Sequence, residues 1–206
     1  MHLILASSSS YRQQQLASLG IRTDAIAPDI DETPLSDEKP QALALRLASE
    51  KARKVAGKHS SSLVIGADQV AVVSDGIDEH ILGKPGNFEN AVTQLTRCSG
   101  KRVDFYSAVS VCHKDSDKQV TRTETTTVTF LTLREEEIHA YLHAEKPFDC
   151  AGSFKSEGRG VLLFDNIQSR DPNALIGLPL MLLRDILNEF DISLLDIACG
   201  ADNPTS

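Results

Sequence analysis

The sequence predicts an α/β fold on a mixed sheet, and three features carry the prediction. An apolar N-terminal strand runs straight into a helix, helices and strands alternate along the chain, and two long β segments lie side by side near its middle. At 206 residues the chain can bury a full core without disulfides or a structural metal. Hydrophobic residues at 41% and charged residues at 24% are ordinary for a globular protein, which argues against a disordered or membrane-embedded chain. With no repeat and no linker visible, residues 1–199 read as one domain and 200–206 as a disordered tail.

The elements follow in order. Leu3 to Ala6 is a short apolar strand; the serines at 7 to 10 follow it, and a helix from about Tyr11 to Leu19 stops at Gly20. Pro40 introduces a second helix, from about Gln41 to Ala56, with Leu43, Leu47, Ala48 and Ala52 among its apolar positions. Leu63 to Val73 is a β-branched run interrupted by Gly66-Ala67-Asp68-Gln69, and it reads as a buried strand kinked at the glycine. HILGKPG gives a short strand and a turn, and NFENAVTQLTRCSG a helix closed by Gly100. RVDFYSAVSVC and QVTRTETTTVTFLTL, separated by the polar HKDSDK, form an antiparallel hairpin. REEEIHAYLHAEK is a helix with acidic residues in its first turn, as the macrodipole prefers. FDCAGSFKSEGRGVLLF leads through glycines into a strand, and LPLMLLRDILNEF is a last apolar helix.

Composition narrows the function. Four scattered cysteines without a C-x-x-C pair suit reduced thiols and argue against a disulfide framework or a zinc site. A net charge of -8 is wrong for gripping long nucleic acid, which requires a basic face. No apolar run approaches the roughly 20 residues of a membrane span, and LILA lacks the basic flank of a signal peptide, so the chain reads as cytoplasmic. Neither a G-x-x-x-x-G-K-[ST] loop nor a G-x-S-x-G elbow occurs, which excludes a P-loop ATPase and a serine acyl-transfer enzyme of that type.

A smaller set of residues remains for chemistry. Ser7 to Ser10 form either a capped polar turn or a cradle that delivers phosphate oxygens to a helix N-terminus, with Arg12 one turn inside. Asp68 is a carboxylate in an apolar strand, so it is either neutralised structurally or serves as a general base or metal ligand. The acidic stretch Asp29-Ile30-Asp31-Glu32 is a solvated loop or the source of a second carboxylate. Lys51 is a snorkelling surface lysine or a phosphate ligand, and Lys84 has its backbone direction set by Pro85.

Taken together and in order, LASSSSYR, DETP, RLASEKA, GADQV, GKP, AGSFKSEG and RDPNALIGLP resemble the Maf family of nucleoside triphosphate pyrophosphatases, and within it the branch acting on 7-methyl-GTP. The resemblance runs from about Leu3 to Ile186. It implies an inosine-triphosphatase-like fold with a cleft between two lobes, a divalent cation (Mg2+ or Mn2+), a homodimer, and a hydrolase of nucleotide metabolism that clears non-standard nucleotides. It places phosphate binding on Ser7, Ser9, Arg12, Lys51 and Lys84, the catalytic aspartate on Asp68 and a further metal ligand on Glu32. Branch-determining positions fall on Tyr11, Gln69 and Glu157. Ser10 stands where the family usually has proline, and Tyr11 where this branch tends to have tryptophan. Chemistry adds a reason for guanine: one carboxylate, here Glu157, accepts from both its ring N–H and its amino group, while thymine and uracil present repelling oxygens. Two alternatives stay open, the same chemistry on dTTP, UTP or another modified nucleotide, and a nucleotide-binding division regulator without turnover.

Overall fold

The structure, a computed structural model, describes residues 2–76 and 78–200. The chain gathers into two compact units. One comprises residues up to Asp68, Ser107–Glu124 and the chain from Asp171 onward; the other comprises Gln69–Tyr106 and Thr125–Arg170. In chain order the elements are β1 (Leu3–Ala6), α1 (Ser10–Ser18), β2 (Asp24–Ala25), α2 (Pro40–Ala56), β3 (Leu63–Ser74), β4 (Glu79–Leu82), α3 (Phe88–Cys98), β5 (Arg102–His113), β6 (Lys118–Phe130), α4 (Glu135–Glu145), β7 (Phe164–Gln168), α5 (Leu180–Asn188) and α6 (Leu194–Cys199). The strands make a seven-stranded mixed sheet of order β2-β1-β3-β5-β6-β7, with β4 beside β3. Among the described residues no helix is long and apolar enough to cross a membrane.

In the first unit β1 lies parallel to both β2 and β3, with Leu3 opposite Leu63 and Ala6 opposite Gly66. Parallel strands covered on both faces need apolar residues at every position, and all four residues of β1 are buried. Alternation then sorts them. Leu3, Leu5, Leu63 and Ile65 face Leu16 of α1 and Leu183 and Ile186 of α5. Ile4, Ala6 and Val64 face Ala52 and Val55 of α2.

β3 runs unbroken through Gly66, so the glycine is not a kink. Its purpose is the approach of α2: a Cβ at Gly66 would stand 2.3 Å from the Ala48 carbonyl oxygen and 2.6 Å from the Ala52 nitrogen. Small residues on the facing turn complete this close packing, and Asp68, two residues further, shares the α2-facing side of the strand.

In the second unit β4 pairs antiparallel with the later half of β3, and β7 with the end of β6. Phe154 packs edge-to-face against Phe105, Phe130 and Phe164. Asn87 caps α3 by accepting from the Asn90 N–H at 2.8 Å.

The predicted elements are present, with three differences. The stretch Arg159–Leu163 is a 3-10 turn, and β7 starts only at Phe164. Gly160 causes this by packing onto the Lys155 carbonyl, where a Cβ would come within 2.3 Å. β2 and α6, of two and six residues, are too short to show a period in the sequence. Gly200, where the tail was expected to begin, closes α6 with φ 72°, and the rest of that stretch lies outside the described residues.

Gly66→Ala should cost about 2–3 kcal/mol as an overpacking change that α2 cannot relieve without shifting, read as a lower denaturant midpoint at unchanged slope.

Candidate active site

Burial creates the central problem of this site. Asp68 sits in β3 at 7% exposure, where an unpaired carboxylate would be costly. α2, held close by Gly66, answers with Lys51, itself 6% exposed. Its Nζ donates to Asp68 Oδ1 at 2.6 Å and lies 2.7 Å from Glu32 Oε1. Lys51 is therefore no surface lysine. One ammonium joins two carboxylates from segments far apart in the chain.

Glu32 is positioned by its neighbours. The Thr33 N–H donates to Asp31 Oδ1 at 2.9 Å, and the Thr33 carbonyl accepts from Arg46 Nη2 at 3.0 Å. Arg46 also forks onto Glu38, at 2.7 Å from Nε and 2.9 Å from Nη2. That fork holds the Glu38 carboxyl down at about 2, so the pair stays charged at any ordinary pH. Arg46 thus fastens the DETP segment to α2. Sequence reasoning missed it, although it opens the RLASEKA motif and stands four residues before Glu50.

On α1, Ser9 is the N-cap, its Oγ accepting from the Arg12 N–H at 3.5 Å, and the Ser9 N–H donates to buried Ser7 Oγ at 3.1 Å. The serines therefore form a capped turn, which brings the helix N-terminus and Arg12 to the end of β1. The half-buried Arg12 reaches back to the turn and past it to two backbone carbonyls. Its Nη1 donates to the Ala67 carbonyl at 2.8 Å and meets Ser7 Oγ at 3.4 Å, and its Nε donates to the Gly177 carbonyl at 2.9 Å.

The charges act on one another. Burial pushes the Asp68 carboxyl above its ordinary value, while Lys51 and Arg12 pull it back. Burial also lowers the Arg12 guanidinium, and Asp68 and Glu32 oppose that. Ser7, Ser9, Arg12, Glu32, Lys51 and Asp68 thus form one connected group in the first unit, with Tyr11 beside Arg12 on α1. Among the described residues no three His, Cys, Asp or Glu side chains converge as a ready-made metal cluster. The two carboxylates that do converge already share a cation, Lys51.

The remaining sequence-predicted residues belong to the second unit. Gln69 follows Asp68 in β3 and is half-buried. Lys84 is exposed after β4, and α3 grips the backbone on either side of it: Gln94 Nε2 donates to the Gly83 carbonyl at 3.1 Å and Asn90 Nδ2 to the Pro85 carbonyl at 2.9 Å. Gln94 Oε1 in turn accepts from Ser153 Oγ at 2.6 Å. Glu157 is exposed within the loop that follows Ser153. Sequence reasoning also missed Gln15 and Asp171, whose polar side chains are buried in the first unit; Gln15 lay hidden because a glutamine on a helix reads as surface.

Comparison with known proteins adds the following. The family model described as Maf-like protein matches residues 2–190. Proteins named 7-methyl-GTP pyrophosphatase are similar along nearly their whole length. The one from Colwellia psychrerythraea is 45% identical over 94% of both chains. Those from Pseudoalteromonas atlantica (95% of this chain, 98% of the relative) and Burkholderia orbicola (93% and 91%) are 47% and 49% identical. Among solved structures, a HAM1 protein from Coxiella burnetii shares the fold, with a TM-score of 0.50 at 13% identity, covering 92% of this chain and 99% of that one.

Lys51→Met should raise the Asp68 carboxyl further, because it removes the foremost influence that lowers it and leaves burial in place. Carbon NMR titration of that carboxyl checks this; an unmoved or lowered midpoint would show that Lys51 is not what holds the charge.

Proposed function

The chain belongs to the Maf-like protein family, and from that premise we propose that it is a nucleoside triphosphate pyrophosphatase hydrolysing 7-methyl-GTP to 7-methyl-GMP and pyrophosphate. One observation carries the reading: a buried aspartate, Asp68, held at 2.6 Å by a buried lysine, with an arginine guanidinium acting on the same carboxyl. A protein that only bound nucleotides would not need that carboxylate, which repels phosphate until it has a proton to take.

In the proposed reaction a water oxygen attacks the α-phosphorus, the bond from that phosphorus to the pyrophosphate oxygen breaks, and the water proton passes to Asp68. Lys51 fixes the direction of the carboxylate through Oδ1. Arg12, Lys51 and Lys84 offset the charge that gathers on the phosphate oxygens, the serine turn at Ser7 and Ser9 presents the helix N-terminus to them, and no covalent intermediate is needed. Glu32 and Asp68 fit a hard divalent cation such as Mg2+ or Mn2+: both are carboxylates, a cation already stands between them as the Lys51 ammonium, and such ions are commonly held by one or two carboxylates together with substrate phosphates. When bound, the ion polarises the phosphoryl group as a Lewis acid. For the base, Glu157 accepts from the paired donors of guanine, Tyr11 offers a π face to the cationic methylated ring, and Gln69 distinguishes this branch from the pyrimidine one. The homodimer and the cytoplasmic setting belong to the same proposal.

Pyrophosphate release from 7-methyl-GTP, GTP, dTTP, UTP and CTP at equal concentration tests the reading, with 7-methyl-GTP expected to turn over fastest. A pyrimidine preference would discard the roles of Glu157, Tyr11 and Gln69, and no release from any of them would discard the enzyme. Asp68→Asn should lower kcat by about 100-fold or more, the scale of a lost general base. Because the Asp68 carboxyl is raised above 3.8 and must be ionised to act, the acid limb of kcat/KM should lie above the range of an ordinary aspartate. Glu157→Gln should narrow the preference for 7-methyl-GTP over dTTP, and unchanged selectivity would remove that residue from base recognition.

A further inference from the structure

The segment RDPNALIGLP has no part in the chemistry above, yet side chains fasten it at nearly every turn. Asp171 is fully buried, and its carboxylate accepts from the Asn173 N–H at 2.8 Å, from Asn173 Nδ2 at 3.1 Å and from the Met181 N–H at 2.6 Å. Met181 lies in the first turn of α5, so Asp171 caps that helix from ten residues upstream and closes the intervening chain into a loop. The carbonyls of the loop are taken up from outside. Gln15 Nε2 donates to those of Asn173 and Leu178 at 2.9 and 3.1 Å, and Ser107 Oγ to that of Ala174 at 2.8 Å. The Gly177 carbonyl goes to Arg12 Nε.

Arg12 and Gln15 are three residues apart on α1 and grip the loop with one face of that helix. Gly177 has φ 126°, a conformation that strains any residue with a side chain, and a Cβ there would face Arg12 Nε at 3.5 Å. The loop therefore presents one carbonyl to Arg12 at a point where only glycine suits the backbone. With Nε on Gly177 and Nη1 on Ala67, two of the three guanidinium nitrogens are fixed by backbone oxygens. The direction of Nη2 follows from the planarity of the group.

We propose that Asp171 is a positioning residue for Arg12: by closing the loop it sets the Gly177 carbonyl, and through that carbonyl it aims the guanidinium at the phosphates of the substrate. The inference rests on the reading of Arg12 given under the proposed function. Asp171 touches neither substrate nor reacting atoms in this scheme.

A double-mutant cycle tests it. Asp171→Asn removes one acceptor from the loop and should lower kcat/KM by about 10- to 100-fold, the range expected when a charged group is misplaced by up to an ångström. It should move the same kinetic parameter, kcat or KM, as Arg12→Met does. In the Arg12→Met background Asp171→Asn should cost almost nothing more. A thermal melt of each variant establishes that it is folded. Should Asp171→Asn fail to fold, Gly177→Ala carries the same cycle, because it disturbs the same carbonyl from the other side. Losses that multiply in the double variant would overturn the inference and leave the proposed function standing, as would loss of stability at unchanged kinetics. An Arg12→Met variant with full activity would overturn the inference together with the assigned role of Arg12, while Asp68→Asn would still decide the reaction itself.

Discussion

Lys51 holds two carboxylates from one point, and the rest of the site is arranged to let it do so. A buried carboxylate costs several kcal/mol unless an opposite charge meets it with good geometry. The 2.6 Å contact with Asp68 requires the backbone of α2 to lie almost against β3, and that requires Gly66 on the strand and Ala48 and Ala52 on the helix. The small residues of GAD and LASEKA are thus part of the electrostatics. They set the distance at which the ammonium and the carboxylate can meet.

The same site balances its charge before any ligand arrives. Lys51 and Arg12 face Asp68 and Glu32, two cations against two anions. This balance lets Asp68 and Lys51 stay buried, in a protein whose net charge of -8 gives a general field that repels phosphates. In the proposed reaction a triphosphate disturbs it by adding negative charge only. Further positive charge must then come from elsewhere, which is the place of Lys84 and of a divalent cation in the scheme.

Much of this was legible in the sequence, for identifiable reasons. The buried strands announced themselves in LILA and LVIGA because strands covered on both faces cannot carry polar residues, and Asp68 stood out as the exception; that they run parallel came only with the fold. The serine stretch and Pro40 marked helix starts through local chemistry, and the fold makes Ser9 the cap. What was not legible depended on distance in the chain. Taken alone, Lys51 read as a snorkelling surface lysine, because nothing near it in sequence reveals that Gly66 lets its helix sink onto the sheet. Arg46, Gln15 and Asp171 look like ordinary polar residues, and only the fold shows that the first fastens the segment bearing Glu32 and that the other two hold the loop reached by Arg12.

Arg12 shows why such unremarkable residues matter. A guanidinium left to itself samples many rotamers, and ordering it on a substrate would consume part of the binding free energy. Here two backbone carbonyls order it in advance, one on β3 next to Asp68 and one at Gly177. Backbone oxygens cannot be protonated or exchanged at ordinary pH, so the orientation holds wherever the loop and the strand hold. The carbonyl beside Asp68 also ties Arg12 to the strand that carries that carboxylate, and a shift of β3 would move the carboxylate and the guanidinium together. The relative placement of the Asp68 carboxylate and the Arg12 guanidinium is therefore a property of the strand and the loop together, and the capped turn at Ser9 needs only to bring the arginine within reach of them.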